Sequence, residues 1–185
     1  MSRVDDLLVE HCPTGVPFRP LGQLASRNKG INITAGQMRD KHVPGAPVRV
    51  FAAGNTKADL PASDVPAGYV ITAPSIIVKS RGHIGFEYYE GPFTHKNELW
   101  SYTANHDVSG KFIYYYLLTQ AEDLQNLARA TSVKLPQLSV GDTDRLLVPA
   151  PPIEVQNEIV RILDTFSELE AELEAELEAE LEARR

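Results

Sequence analysis

Residues 149–159 read Pro-Ala-Pro-Pro-Ile-Glu-Val-Gln-Asn-Glu-Ile, and this stretch divides the sequence into two unlike parts. Pro152 suits the first turn of a helix, where its missing N–H does no harm, and Glu154 suits the positive end of the helix dipole. Neither glycine nor proline follows in the sequence. The pattern therefore predicts a helix of about 32 residues, a rod of roughly 48 Å, and a domain boundary between residues 1–150 and 151–185.

The distal part of this predicted helix is a four-residue repeat. Glu-Leu-Glu-Ala occurs four times from Glu168 and is followed by two arginines. Apolar residues step by three and four along the helix, which is the spacing of a coiled-coil seam. Each step of four moves leucine about 40° around the axis, so the stripe drifts away from an ordinary heptad. The seam that we expect to mediate dimerisation comprises Ile159, Ile162, Phe166, Leu169, Leu173, Leu177 and Leu181.

The charge of the repeat leaves alternatives open. Eight glutamates lie between Glu168 and Glu182 with no Lys or Arg among them, and like charges at i,i+4 cost roughly 0.2–0.5 kcal/mol per pair. A solvated acidic helix or a disordered tail is one interpretation. We favour a partner helix, because leucine recurs without exception. In an antiparallel pair of identical chains, Arg184 and Arg185 would reach Glu154 or Glu158.

The part before the boundary has the pattern of a β-rich domain. Short runs rich in β-branched and aromatic residues predict strands. These predicted strands are residues 48–51, 69–72, 76–78 and 146–148. Residues 80–85 predict a turn, 110–130 one or two helices packed on the sheet, and 2–11 a short amphipathic helix. The predicted fold class is α+β, a β-rich globular domain followed by a long helix that forms an antiparallel coiled coil in a dimer.

The net charge of the sequence does not exclude a nucleic-acid partner. The whole sequence carries −7, but residues 153–185 hold eleven acidic side chains and three arginines, a balance of −8. Residues 1–152 therefore balance at +1. A near-neutral domain can still present a local basic face to phosphate groups.

Other features of the composition indicate a cytoplasmic protein with no membrane partner. The single cysteine, Cys12, permits no internal disulfide and is interpreted as a small apolar residue. The N-terminus lacks the apolar run of a signal peptide. No stretch approaches the ~20 apolar residues that a membrane span needs.

The sequence contains no recognisable catalytic or cofactor site. The histidines are too far apart for an H-x-x-x-H metal pair. Neither a phosphate-binding loop nor a glycine-rich cofactor loop after a strand is present. We therefore expect no catalysis, no cofactor and no metal in this chain.

Several short motifs, in order, carry a family resemblance. Residues 151–164 read Pro-Pro-Ile-Glu-Val-Gln-Asn-Glu-Ile-Val-Arg-Ile-Leu-Asp, residues 12–22 contain Cys-Pro-x-Gly-Val-x-Phe-x-x-Leu-Gly, and residues 81–85 read Arg-Gly-His-Ile-Gly. Leu138-Ser139 and the Leu-Leu-Val-Pro run at 146–149 complete the set. Together they resemble the specificity subunits of type I restriction-modification systems, in which a similar proline-glutamine-isoleucine run joins each target-recognition domain to a conserved helix.

The resemblance implies a non-catalytic subunit that recognises double-stranded DNA. Family members carry two recognition domains and two helices, whereas this sequence holds one of each, so we expect a half-length form that homodimerises. Two identical readers predict an interrupted, inverted-repeat target, with the repeat setting the spacer length; a different chain could instead supply the second half. The implied partners are adenine-specific methyltransferase subunits and a restriction/translocase subunit, which would hold the S-adenosylmethionine and ATP sites.

The residues that would contact DNA are taken from polar and basic clusters in predicted loops. Arginine would read guanine and asparagine adenine, while lysine would mainly neutralise phosphate. The candidate DNA-binding residues are Arg27, Asn28, Lys29, Lys41, Lys79, Arg81, His83, His95, Lys96, Asn97 and Lys134. The aromatic residues between 88 and 102 could stack on bases, but core packing is the favoured interpretation.

A rival from another class is a non-catalytic oligomerising adaptor whose β-rich domain binds protein or carbohydrate. Such a protein would show no salt-dependent affinity for DNA. A hydrolase with a site built from Glu87, Glu90 and Glu98 is a weaker rival, because no nucleophile and base accompany these carboxylates.

Overall fold

The computed structural model describes residues 2–132 and 134–184, and it divides the chain into two compact units. The globular unit is Pro17–Ala150, and the helical unit comprises Met1–Val16 together with Pro151–Arg185. The functional boundary that we place between residues 150 and 151 stays a prediction. Arg185, which we expect to pair with a partner helix, lies outside the described residues.

The strands of the globular unit are short. In chain order they are β1 (Phe18–Pro20), β2 (Ala25–Asn28), β3 (Val48–Phe51), β4 (Lys57–Leu60), β5 (Ser75–Lys79), β6 (Gly85–Tyr89), β7 (Phe93–His95), β8 (Trp100–Ala104) and β9 (Leu147–Pro149). They pair as β2-β8-β5-β6, as β4-β3-β7 and as the ribbon β1-β9. All pairs are antiparallel except β3 with β7, which is parallel.

Helices are distributed over both units. The globular unit contains α2 (Leu21–Leu24), α3 (Ala35–Asp40), α4 (Gly110–Thr119), α5 (Ala121–Thr131) and α6 (Val140–Asp144). The helical unit contains α1 (Arg3–His11) and α7 (Ile153–Ala183). The prediction of an α+β fold with a long C-terminal helix is confirmed.

Two buried apolar clusters of the globular unit lie on opposite faces of the β2-β8-β5-β6 sheet, and a third surrounds β3 and β4. Alternation along β5 sends Ile76 and Val78 into a cluster with Ile113 and Leu117 of α4, whereas Ile77 packs in a separate cluster. That second cluster contains Phe51, Phe93 and Leu99. Because β5 is buried on both faces, its sequence reads as a continuous apolar run.

The predicted strand at residues 69–72 is wrong. Only Ile71 pairs, through two backbone hydrogen bonds with Phe93 of 2.7 and 2.9 Å. Tyr69 instead closes a turn, because its N–H donates to the carbonyl of Pro66 (3.1 Å) across Gly68, whose φ is +82°. Glycine tolerates this left-handed backbone, and the turn ends any extended run that the aromatic and β-branched residues favour.

The helical unit pairs a short capped helix with a long one. Ser2 and Asp5 form a capping box at the start of α1, which packs against α7. Arg3 and Arg161 both lie beside the carboxylate of Glu158, at 3.7 and 2.6 Å. Helix α7 spans 31 residues, close to the predicted length. None of the helices in the described part of the chain combines the length and apolar character of a membrane span.

Candidate nucleic-acid interface

A polar cleft in the globular unit brings together four of the predicted DNA-binding residues. Arg27, Asn28 and Lys29 lie at the end of edge strand β2, and Asn97 approaches from the segment between β7 and β8. The cleft has a volume of about 290 Å³. The rest of its lining comprises Gly30, Tyr69, Leu99, Trp100 and Val140.

Backbone hydrogen bonds hold the two sides of the cleft together. The N–H of Ile31 donates to the carbonyl of His95 (2.7 Å), and the N–H of Asn97 donates to the carbonyl of Ile31 (3.1 Å). Gly30 permits this approach, since a Cβ there would fall 2.6 Å from His95 Nδ1 and 2.7 Å from the Lys96 carbonyl. The glycine therefore serves a close backbone contact and not a turn.

His95 does not belong with the DNA-contacting residues, which is a correction to the sequence prediction. Its side chain is fully buried, and its ring contacts Ser101 Oγ and the Lys96 carbonyl, both at 3.2 Å. Burial lowers the pKa of His95, and the hydrogen bond to the Lys96 carbonyl opposes this shift only in part. A neutral, enclosed imidazole has no surface to offer DNA.

The cations at the cleft differ in how far their charge is already neutralised. Arg27 and Lys29 are exposed, and neither forms an ion pair with any described residue. Lys96 is less available, because it lies 2.9 Å from Glu98 and is only 20% exposed. The charge that the cleft offers to phosphate therefore comes mainly from Arg27 and Lys29.

Two further predicted lysines also have carboxylate partners. Lys79 lies 3.0 Å from Glu87, which also binds Lys57. Burial of Glu87 opposes its ionisation, but the two lysines outweigh burial and hold the pKa of this carboxyl below its usual value. Lys41 lies 3.3 Å from Asp64. A phosphate would have to displace a carboxylate to bind either of these lysines.

A second group of predicted residues lies on the turn between β5 and β6. Arg81 and His83 are exposed there, and Arg81 forms a bridge with Gln137, which places the segment of Lys134 alongside the turn. The side chain of Gln125 on α5 holds the turn, since it accepts from Ile84 N (2.8 Å) and donates to the Gly82 carbonyl (3.1 Å).

Ser80 connects this turn to the cleft. Its hydroxyl donates to the carbonyl of Glu98 (2.8 Å), and its carbonyl accepts from the N–H of Leu138 (2.9 Å). Glu98 adjoins Asn97 and Leu99 of the cleft, and Leu138 follows Gln137. The segments that form the cleft and the turn are therefore adjacent in the globular unit.

The sequence interpretation missed two features of this surface. Tyr69 lines the cleft and is 39% exposed, but its neighbours Val70 and Ile71 suggested a strand. Gly30 does not belong to any of the motifs recognised in the sequence. Its position directly after three polar residues was nevertheless a usable signal of a close backbone contact. The larger aromatic residues Phe93, Trp100 and Tyr102 are buried, as core packing requires.

Polar contacts also support the floor of the cleft. Trp100 Nε1 donates to Thr143 Oγ1 (3.1 Å), and the hydroxyl of Tyr102 contacts both Thr143 and Asp144. Burial, reinforced by the hydrogen bond to Asp144, raises the pKa of Tyr102, so its hydroxyl remains protonated. Among residues 2–132 and 134–184, no group of three His, Cys, Asp or Glu side chains could hold a metal ion.

Comparison with known proteins adds structural neighbours and sequence relatives. An S subunit of a type I restriction-modification system from M. genitalium superposes with a TM-score of 0.63 at 19% identity, covering 84% of this chain and 40% of that one. The HsdS subunit of Thermoanaerobacter tengcongensis gives a TM-score of 0.65 at 17% identity, covering 93% and 44%. At these identities the likeness shows a shared fold.

The sequence comparisons also find type I specificity proteins. A putative type I restriction enzyme specificity subunit of Haemophilus influenzae is 29% identical over 111 residues, which are 57% of this chain and 28% of the relative. This chain thus spans less than half the length of these relatives. The model of the type I restriction modification DNA specificity domain matches residues 54–183. With most of its length matched, the chain belongs to the type I restriction-modification DNA specificity family, whose members are specificity components and not catalysts.

Proposed function

We propose that this chain recognises a DNA target on behalf of a type I restriction-modification complex. The observation that carries the proposal is the cleft of Arg27, Asn28, Lys29 and Asn97. It joins two unpaired cations and one amide at the end of edge strand β2 to a second amide from the segment between β7 and β8. Cations position a duplex through phosphate, and amides read base edges.

The neighbouring turn extends this surface. Arg81, His83 and Lys134 would contact the same duplex beyond the cleft, since Ser80 links the two parts. Lys41, Lys79 and Lys96 are secondary candidates because each already has a carboxylate partner.

Dimerisation through α7 is the second part of the proposal. Five large apolar side chains on its distal half are each more than half exposed: Phe166, Leu169, Leu173, Leu177 and Leu181. An antiparallel partner helix from a second copy would cover them, together with Ile159 and Ile162. Two identical recognition domains would then bind the two halves of an inverted repeat, without contacting the bases of the spacer between them.

In such a complex the chain would position its partners without performing chemistry. Adenine-specific methyltransferase subunits would modify the target, and a restriction/translocase subunit would cleave DNA. We assign the chain no cofactor and a cytoplasmic location.

Charge removal in the cleft tests DNA recognition. With the methyltransferase subunit present, Arg27→Ala combined with Lys29→Ala should weaken binding to a target duplex about tenfold or more. It should also flatten the dependence of log K on log salt by about 2. Arg19→Ala with Arg39→Ala removes the same charge outside the cleft and is the control. Equal losses from both pairs would remove the cleft from the interface, and binding that ignores salt would favour the adaptor alternative.

Three experiments test the dimer and its spacer. Light scattering should give a mass near twice 20.4 kDa, whereas a monomer would indicate a non-identical partner half.

Deleting one Glu-Leu-Glu-Ala unit removes about 6 Å of helix, so the preferred spacer should change by about two base pairs while the half-sites stay unchanged. A change in the half-sites would contradict a spacer role for the repeat. Alanine at Arg184 and Arg185 should weaken the dimer if these arginines reach the partner helix.

A further inference from the structure

The side-chain amide of Asn28 is anchored from beneath the cleft. Its Nδ2 donates to Ser101 Oγ (3.1 Å) and to Thr103 Oγ1 (2.8 Å). Asn28 and Ser101 are directly opposite in the pairing of β2 with β8. Both hydroxyls belong to longer chains of hydrogen bonds, and the direction of those chains decides how the amide is oriented.

The first chain runs through His95. Its Nδ1 lies 3.2 Å from the Lys96 carbonyl, which can only accept, so Nδ1 carries the proton. In the neutral ring Nε2 is then an acceptor, and it takes the hydroxyl hydrogen of Ser101 at 3.2 Å. Ser101 Oγ has therefore used its only hydrogen and must accept from Asn28.

The second chain leads to the same result. Ser75 Oγ donates to the Ala73 carbonyl (2.9 Å), so it accepts from Thr103 Oγ1 (2.7 Å). Thr103 has thereby used its hydrogen and must also accept from Asn28. Both hydrogens of the Asn28 amide point inward, and reversing the amide would set its oxygen against two oxygens that have no hydrogen to give.

The remaining polar atom of this side chain is Oδ1, which has no hydrogen-bond partner among the described residues. Asn28 is half-buried and lines the cleft between Arg27 and Lys29. The side chain can therefore offer an acceptor to a ligand but no donor. The usual contact of asparagine with adenine is bidentate and needs a donor as well.

We propose, on the basis of the proposed function, that Asn28 is a specificity-determining residue that reads the exocyclic amino group of one base through its Oδ1 alone. His95 and Ser101 are positioning residues, because they fix the orientation of the amide without touching DNA. The bases with such a group on the major-groove edge are adenine (N6) and cytosine (N4), and guanine N2 presents one in the minor groove.

Base analogues in the target duplex test this proposal. A random duplex library is first selected with the complete complex, which yields the target. Single target positions are then replaced with purine for adenine, 2-pyrimidinone for cytosine or inosine for guanine, each of which lacks the amino group. At one position the wild-type complex should lose roughly three- to tenfold in affinity, and Asn28→Ala should lose nothing further there.

A second analogue separates the acceptor-only contact from a bidentate one. If the base is adenine, 7-deazaadenine at that position removes N7 and should leave wild-type affinity unchanged. Ser101→Ala should reduce the penalty for the missing amino group, whereas Ser26→Ala, an exposed position on the strand that carries Asn28, should not. If Ser101→Ala lowers the melting temperature too far for binding, Asn28→Ala still decides the outcome.

The outcomes distinguish this inference from the proposed function. Failure to select any target would overturn both. A selected target at which Asn28→Ala keeps every amino-group penalty would overturn the role of Asn28 and leave DNA recognition intact. A penalty for 7-deazaadenine that disappears in Asn28→Ala would show a bidentate contact and refute the fixed orientation.

Discussion

The two units of this chain differ in charge and in where they place apolar side chains. The globular unit, Pro17–Ala150, contains fourteen Lys and Arg against eleven Asp and Glu, a balance of +3. The helical unit, residues 1–16 and 151–185, contains four against fourteen, a balance of −10. The total of −7 conceals this contrast, and a polyanionic ligand would be attracted to one unit and repelled by the other.

The two units also differ in whether their large apolar side chains are buried or exposed. The globular unit buries its large apolar residues in clusters such as that around Ile76 and Tyr102. Helix α7 leaves Phe166 and four leucines more than half exposed. Because exposed apolar stripes of this kind mark interaction surfaces, the contrast supports the proposal that the globular unit binds DNA and that α7 binds a protein partner.

Charged side chains on the apolar stripe of α7 should have the largest effect, which is a loss of dimer affinity. Leu173→Glu with Leu177→Glu should weaken the dimer by at least about a hundredfold, because each leucine loses roughly 1.5–3 kcal/mol of burial. Sedimentation should then give the monomer mass, while near-ultraviolet circular dichroism of the globular unit is retained. Ala171→Glu with Ala175→Glu adds the same charge away from the stripe and should leave the dimer largely intact. A dimer that survives the leucine changes would remove α7 as its interface.

Gly30→Ala should produce the next largest effect, and it acts on the globular unit alone. A Cβ at this position meets the His95 ring and the Lys96 carbonyl, and overpacking of this kind costs about 1–3 kcal/mol. Urea denaturation should show the loss, and DNA affinity should fall because Asn28 and Asn97 separate. Gly85→Ala is the control, since a Cβ there meets nothing within 4 Å. An unchanged denaturation midpoint would mean that the cleft tolerates a wider backbone separation.

Added salt should change dimer affinity and DNA affinity in opposite directions. Added salt screens the repulsion among the glutamates of α7, worth roughly 0.2–0.5 kcal/mol per i,i+4 pair. Dimer affinity should therefore rise between about 0.05 and 0.5 M salt, while DNA affinity falls. Glu172→Gln with Glu176→Gln should flatten the dimer response without altering the DNA response. Parallel responses of both equilibria would contradict separate electrostatic roles.

The smallest effect should be a pH dependence of stability in the globular unit. His95 has a folded-state pKa below its ordinary value of 6.5 because it is buried. The unfolded chain therefore takes up the proton first as pH falls. The stability contribution is fully present above about pH 6.5 and is lost as pH falls toward the folded-state pKa. His95→Gln should reduce the difference between urea midpoints at pH 7.5 and 5.5, and the exposed His106→Gln should leave it unchanged. An undiminished difference in His95→Gln would assign the effect to other groups.

Much of the local structure could be predicted from the sequence. The prolines before Ile153 and the absence of breakers after it predict the start and length of α7, because helix propensity and capping act over a few residues. The strands β3, β5 and β9 were predicted for the same reason, as was the turn at residues 80–85. The strand predicted at residues 69–72 failed because a turn across Gly68 leaves only Ile71 to pair.

The candidate site depended on contacts between residues far apart in the sequence. Arg27, Asn28, Lys29 and Asn97 were chosen as polar clusters, and the backbone hydrogen bonds of Ile31 with His95 and Asn97 bring the two clusters together. His95 was chosen by the same criterion but lies in the core, because residue type does not reveal that β7 is buried on both faces.

The sequence alone was enough to predict the long acidic helix, its leucine stripe and the β-rich character of the domain before it. These features follow from the periodicity and chemistry of neighbouring residues. The tertiary structure was needed to show which polar residues line one cleft, which cations already have a carboxylate partner, and that Asn28 donates both amide hydrogens to β8. Those properties depend on burial and on contacts that the folded chain makes, such as the hydrogen bond between Asn28 and Ser101, 73 residues apart, and the ion pair between Lys79 and Glu87 on neighbouring strands.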